Sequence, residues 1–322
     1  MNKEELRIVY MGTPDFAVES LRCLVDNGYN VVGVVTMPDK PVGRHQTELS
    51  LSPVKQYAMQ KGLRILQPEK LKDPVFIEEL RSLRADLQIV VAFRMLPEIV
   101  WNMPRLGTFN LHAALLPQYR GAAPINWAVI NGDTTTGVTT FFLDHHIDTG
   151  RIIRRESVPI SDTDNAGDVH DRLMVLGARL VTETVDDILS GRVSPVAQDE
   201  LSDGSLLRPA PKIFKETCRI NWNQGIKQAY DFIRGLAPYP AAWTVLTNGS
   251  RQTTVKIYET EKESCLPDVP CGTVVTNGRD VFKVALADGF LHLKVLQMAG
   301  KKRMSVAEFL RGFHAESVLG VE

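Results

Sequence analysis

The chain has 322 residues, 44% hydrophobic and 23% charged, with a net charge of −1, enough for two ordinary cores of about 100–200 residues each. It holds no apolar run of the roughly 20 residues that a membrane-spanning helix needs, and its start, MNKEELRIVYMGTPDF, is acidic where a signal peptide is basic. Cys23, Cys218, Cys265 and Cys271 form no CxxC pair, which argues against disulfide and zinc frameworks and fits a reducing, cytoplasmic setting.

Short Val- and Ile-rich runs at 6–11, 31–37, 63–67, 87–93 and 107–112 read as buried strands. Helix patterns fall between them at 15–27, at 53–61 behind Ser52, and at 73–84, where Asp73 can cap and Pro74 can occupy the first turn. This alternation predicts an α/β fold, a doubly wound and mostly parallel sheet, with ligands bound beyond the carboxyl ends of the strands. Two more strand patterns, 137–144 and 151–159, precede a long helix pattern over 166–189. Residues 194–212 carry three prolines and no periodicity, the composition of a linker. A helix pattern at 223–236 then leads to alternating runs at 241–247, 253–259, 271–276, 280–286 and 290–297, which predict a small β-barrel. The expected domains are 1–193 and 213–322, joined by 194–212. Residues 210–322 hold 15 Lys+Arg against 11 Asp+Glu, and the rest 22 against 27. The basic excess is either plain solvated surface or a grip on a polyanion.

A dinucleotide site at the end of the first strand is excluded, because Gly12 in MGTPDF lacks the second and third glycines of a phosphate-binding loop. The richest stretch is GTFNLHAALLPQYRGAAPI, residues 107–125, where Asn110 and His112, two apart on a strand, share one face. The turn LPQYRGAAP offers backbone groups beside apolar walls, the composition of a pocket for a flat heterocycle. GVTTFFLDHHIDTG (137–150) ends with Asp144, His145, His146 and Asp148 close in sequence, and Asp148-Thr149-Gly150 reads as a turn that can hold a carboxylate at the pocket. Plainer readings stand beside these: a histidine at a strand end is commonly structural, and an Asp before Thr-Gly is commonly a turn former. His112, His145, His146 and Asp148 are acceptable zinc ligands by type, but no H-x-E-x-H or similar spacing supports them, and no metal is expected.

NLHAALLPQYRGAAPI, with MGTPDFAVESL, PDKPVGR and HHIDTG, resembles the folate-dependent formyltransferase superfamily. KIFKETCRINW (212–222), PYPAAWT (238–244), AGKKRM (299–304) and the PDKPVGR loop narrow the resemblance to the methionyl-tRNA formyltransferases, nearly end to end. The resemblance implies a Rossmann-like formyltransferase domain followed by an OB-like tRNA-binding domain. It implies transfer of a formyl group from 10-formyltetrahydrofolate to the α-amino group of methionyl initiator tRNA, in support of translation initiation. Asn110, His112 and Asp148 fall at the family's catalytic positions, and Ala114, Leu115, Leu116 and Pro117 at its folate-binding turn. Arg44 and the cluster Lys301, Lys302 and Arg303, with Lys294 nearby, are the expected tRNA contacts. The expected partners are charged initiator methionyl-tRNA and folate, with no membrane and no obligate protein partner. The chain departs from the family in three places: Ala114 stands where serine is usual, AFRMLP (92–97) replaces A-Y-G-x-I-L-P without its glycine, and HQTELSLS follows PDKPVGR where lysines are usual.

The residue types suit this chemistry. An amine attacking a formyl carbon must shed a proton while the carbonyl oxygen gains charge. Asn110 can donate to that oxygen, His112 can donate or shuttle a proton, and Asp148 can orient the imidazolium or accept the amine proton through water. No enzyme nucleophile is needed, since the substrate supplies the amine. Three rival functions use parts of the same pattern: formyl transfer to an amino-sugar nucleotide, hydrolysis of the formyl-folate, and non-catalytic RNA binding. AGKKRM argues against the first, and retention of all three catalytic residue types against the last.

Overall fold

The computed structural model describes residues 2–42, 48–201, 204–315 and 319–322. The chain forms two compact units, one of Met1–Gly121, Thr136–Val158 and His170–Pro209, the other of Ala122–Thr135, Pro159–Val169 and Ala210–Glu322.

The elements run β1 (Ile8–Gly12), α1 (Phe16–Asp26), β2 (Val31–Val35), a hairpin of β3 (Lys40–Val42) and β4 (Glu48–Ser50), α2 (Pro53–Gln60), β5 (Ile65–Leu66), α3 (Pro74–Ser82), β6 (Leu87–Val91), α4 (Glu98–Trp101) and β7 (Thr108–His112). There follow α5 (Pro124–Ile130), β8 (Thr135–Phe142), β9 (Ile152–Pro159) and α6 (Ala166–Leu189). The sheet of the first unit has the order β5-β2-β1-β6-β7-β8-β9. It is parallel from β5 to β7 and turns antiparallel at β7–β8, so the expected doubly wound, mostly parallel sheet is present. Every residue of β1 and β6 is buried, which is why neither alternates apolar with polar residues; the one polar side chain, Gln88 of β6, accepts the Thr108 hydroxyl at 3.1 Å. Val9, Met11, Val35, Phe76, Leu80 and Val90 belong to one core. The helix starts are set by short polar side chains. Asp73 accepts the Val75 N–H at 2.8 Å and Ser52 that of Lys55 at 3.0 Å, each followed by proline, and each such cap contributes about 1 kcal/mol.

The second unit carries α7 (Ile226–Leu236), β10 (Ala242–Asn248), β11 (Arg251–Glu263), β12 (Val274–Thr276), β13 (Phe282–Ala285), β14 (Phe290–Met298), β15 (Met304–Ser305), α8 (Val306–Leu310) and β16 (Leu319–Val321). Its strands follow the order β12-β13-β14-β11-β10-β16, with β15 on β14, and a Thr273–Gly320 bridge brings the two ends together. The result is the expected small antiparallel barrel, nearly closed, around Ile257, Phe282, Val284, Leu291 and Leu296. Asp288, on the β13–β14 turn, caps α7 by accepting the Ile226 N–H at 2.7 Å. The short elements α4, α5, β15, α8 and β16 and the β3–β4 hairpin go beyond the sequence expectations. They are too brief to show a period of their own. Among the described residues no helix is long and apolar enough to cross a membrane.

Candidate active site

β7 ends at the carboxyl edge of the sheet and delivers Asn110 and His112 to the same face. Asn110 is registered against Val90 on one side and Phe141 on the other. Its Oδ1 is buried without a hydrogen-bond partner, and its side chain bonds to none of the described residues. A buried amide left uncommitted is the condition of a group that pairs with a ligand, since otherwise its desolvation goes uncompensated. His112 is 6% exposed. Its Nε2 lies 2.8 Å from the Tyr119 carbonyl oxygen; that oxygen can only accept, so Nε2 holds a proton and Nδ1 is the nitrogen left facing the site. Nδ1 lies 3.9 Å from Asp148 Oδ2, within ion-pair range but beyond a direct hydrogen bond.

The loop that carries Asp148 is organised locally. Asp144 Oδ1 accepts the His146 N–H at 2.9 Å and the Thr149 hydroxyl at 2.8 Å. A Cβ at position 150 would lie 1.7 Å from the Phe142 carbonyl oxygen, so the base of the loop closes only around glycine. Asp148 takes a left-handed φ of 55°, and its Oδ2 accepts the Gly121 N–H at 2.9 Å. Asn110, His112 and Asp148 are thus brought together, while His145 turns away to Glu98 (3.8 Å) and stacks edge-on against Trp101. Among the described residues no group of three His, Cys, Asp or Glu side chains converges on one point.

Ala114, Leu115, Leu116 and Pro117 follow β7 after the single residue Ala113, and Ala114 and Leu116 are fully buried. Thr139 holds this turn, donating its hydroxyl to Ala114 O at 2.6 Å and accepting the Leu116 N–H at 3.1 Å. Arg155 donates to Leu116 O at 2.9 Å. The side chain missing from Ala114 is therefore not what shapes the turn. In the glycine-free stretch 92–97, Ala92 itself adopts φ 47°. Arg94 donates to the carbonyls of Pro68 and Glu69, the latter at 2.7 Å, and stacks over Phe93. Burial lowers its guanidinium pKa from the usual arginine value.

Arg44 lies outside the described residues. Lys301, Lys302 and Arg303 sit exposed between β14 and β15 on the second unit. Arg303 lies 3.6 Å over the Tyr258 ring. Lys294 is paired with Glu261 at 2.6 Å. Thr139 and Gln198 hold the site together without having stood out in the sequence: each side chain bonds to backbone atoms distant in the chain, which leaves no local pattern.

The formyl transferase family matches residues 6–185, and the formyl transferase C-terminal domain family matches 212–314. The chain is 66% identical over 315 residues to a methionyl-tRNA formyltransferase of Parabacteroides distasonis, with 97% of each chain covered. It is 68% identical to the protein of that name from Phocaeicola vulgatus, across 100% of both. Among solved structures it shares its fold with an N-formyltransferase from Helicobacter canadensis in complex with folinic acid and dTDP-3-aminofucose (TM-score 0.65, 19% identity, 91% of this chain and 99% of that one). It also shares its fold with HypX from Aquifex aeolicus in complex with tetrahydrofolic acid (TM-score 0.63, 16% identity, 97% and 48%). With both domain families matched in order and likeness at this level over its whole length, the chain belongs to the methionyl-tRNA formyltransferases.

Proposed function

We propose that the chain transfers the formyl group of 10-formyltetrahydrofolate, a substrate consumed in the reaction, to the α-amino group of methionine on charged initiator tRNA, in the cytoplasm, at the start of translation. The observation that carries this reading is the end-to-end likeness to proteins of that activity, which extends through the barrel as well as the sheet. The uncommitted Asn110 amide beside the His112–Asp148 pair supports it at the level of atoms. Catalysis is assigned to residues 1–193 and tRNA binding to 213–322, with 194–212 between them.

The free amine attacks the formyl carbon, a C–N bond forms, and the carbonyl oxygen becomes an alkoxide in a tetrahedral intermediate. Asn110 Nδ2–H donates to that oxygen, a type of contact whose removal costs about 3–4 kcal/mol in comparable sites. Asp148 takes up the amine proton, directly or through water, and hands it on to His112 Nδ1, where the restored carboxylate balances the charge of the imidazolium. His112 Nδ1 passes a proton to the departing folate nitrogen as the old C–N bond breaks. The turn 114–117 is assigned the flat-ring surface that a pterin requires. Lys301, Lys302, Arg303 and Arg44 are assigned to the tRNA backbone.

The test is to incubate the protein with 10-formyltetrahydrofolate and, separately, charged initiator tRNA or an amino-sugar nucleotide. Formylation of the tRNA alone is expected; formylation of the sugar nucleotide, or release of free formate without an acceptor, overturns the reading.

A further inference from the structure

We propose that Gln198 is a positioning residue for Asp148, a single buried amide that joins the two loops flanking His112; this rests on the role given to Asp148 above. Gln198 lies in the polar, proline-bearing stretch after α6, yet it is only 3% exposed. Its Nε2 donates to the carbonyl oxygens of Asp148 and Gly150, both at 2.9 Å. Its Oε1 accepts from Arg120 Nε at 3.0 Å and Nη2 at 2.7 Å. An amide has two N–H donors and two acceptor lone pairs, so every hydrogen bond it can make is made here.

What those four bonds connect matters more than their number. The 119–121 loop presents the Tyr119 carbonyl to His112 Nε2 and the Gly121 N–H to Asp148 Oδ2. Arg120 stands between these two contacts, and Gln198 ties it to the backbone of Asp148 itself. Tyr119 and Asp148 both take left-handed conformations, φ 60° and 55°, which non-glycine residues hold only where the surroundings impose them. The segment around Gln198 is itself anchored. Val196 and Ile152 exchange backbone hydrogen bonds at 2.8 and 2.9 Å, and Arg151 donates twice to Pro195 O at 3.0 and 2.6 Å. Further along, Arg208 O accepts the Tyr119 N–H at 2.7 Å and Arg208 Nη1 reaches the Tyr119 hydroxyl at 3.0 Å. Gln198 reaches the reacting atoms only through Asp148 and Arg120, so its effect falls on the Nδ1–carboxylate geometry and not on substrate affinity.

The experiment measures kcat, and KM for both 10-formyltetrahydrofolate and methionyl-tRNA, across pH in the full-length protein for Gln198→Ala, Gln198→Glu and Asp148→Ala. Gln198→Glu keeps the acceptors for Arg120 but sets carboxylate oxygens against two carbonyl oxygens; protonation gives one donor back. Gln198→Ala is expected to lower kcat about 10- to 100-fold with both KM values within about twofold, as a misplaced catalytic group does. For Gln198→Glu the ratio of variant to wild-type kcat is expected to rise as pH falls. The proposal is overturned if Gln198→Ala keeps kcat within about twofold of wild type, or if KM absorbs its whole loss. A pH-independent ratio for Gln198→Glu overturns it too, and decides alone if the alanine variant fails to fold. An active Asp148→Ala variant removes the underlying role of Asp148 and this proposal with it. An inactive Asp148→Ala beside a fully active Gln198→Ala removes the positioning role only.

Discussion

His112 Nε2 and the Tyr119 carbonyl oxygen stand 2.8 Å apart, and this one contact decides which face of the imidazole is left for chemistry. It also gives the histidine a structural task separable from a catalytic one. In His112→Gln the longer amide can still donate toward Tyr119, while no group able to exchange a proton remains at the Nδ1 position. The expected outcome is a melting temperature close to wild type with kcat reduced about 10²- to 10⁴-fold, the usual worth of a positioned acid or base. Thermal melting and single-turnover kinetics on the same preparation check it. A variant that is stable and keeps near-normal turnover would leave His112 a structural clamp and nothing more.

Asn110 gives the complementary case. Its buried Oδ1 has no partner among the described residues, so the folded protein bears a desolvation cost with nothing there to offset it. Asn110→Leu, similar in volume, removes that cost together with the oxyanion donor. The melting temperature should hold or rise while kcat falls about 10²- to 10³-fold. A parallel loss of both would mean that the amide is a structural group.

Much of the fold was legible because its signals are local. Asp73 before Pro74 marks a helix start whatever lies around it, and β1 and β6 show no apolar–polar alternation because both faces are covered. The pair Asn110 and His112 was legible for the same reason, since spacing two on a strand fixes a shared face. The frame around them was not. Thr139 and Arg155 bond to backbone atoms of the 114–117 turn from strands well downstream. Gln198, the most fully bonded amide of the site, lies where composition reads as tether. Contacts of a side chain to a distant backbone need neither a particular spacing nor a matching residue type at the other end, so a single sequence carries no trace of them. The departure at 92–97 was visible as a missing glycine, but only the fold shows Arg94 anchored on Pro68 and Glu69.

Acid sensitivity of the first unit should trace in part to Asp187. Arg154 Nε donates to it at 2.6 Å and Arg192 at 3.3 Å. The Arg154 hydrogen bond is the largest cause holding the Asp187 carboxyl below the usual aspartate pKa. A folded-state value below the unfolded one contributes stability that is fully present above the unfolded value, about 4, and is lost as pH falls through the folded value. Arg154 is 38% exposed, so solvent screening keeps the contribution small. Unfolding free energy measured by denaturant from pH 6 down to about pH 2.5 should fall less steeply in Asp187→Asn than in wild type, the two curves converging at the acid end. Parallel curves would show that the ion pair exerts no differential effect.

In the basic loop of the barrel, charge and structure can be told apart residue by residue. Arg303 stacks 3.6 Å over Tyr258, whose hydroxyl donates to Gln297 at 2.6 Å; Gln297 in turn donates to Lys301 O at 2.8 Å. Arg303 is therefore partly committed to shaping the loop, at about 0.5–1 kcal/mol for an exposed cation–π contact, whereas Lys301 and Lys302 make no ion pair among the described residues. Neutralising Lys301 and Lys302 together should weaken methionyl-tRNA binding and flatten its dependence on salt, the log–log slope falling by about 0.7–0.9 for each phosphate that no longer meets a cation. Arg303→Ala should do the same and also lower the melting temperature, and Arg44→Ala should have the smaller effect on affinity, because its loop lacks the lysines usual in the family. None of these side chains is assigned to the formyl carbon, so transfer to a small amine acceptor should be unchanged in all of them. Binding isotherms at four or five salt concentrations give the slopes. If the lysine pair leaves the slope as it was, the cluster is ordinary solvated surface and the tRNA path lies elsewhere on the barrel.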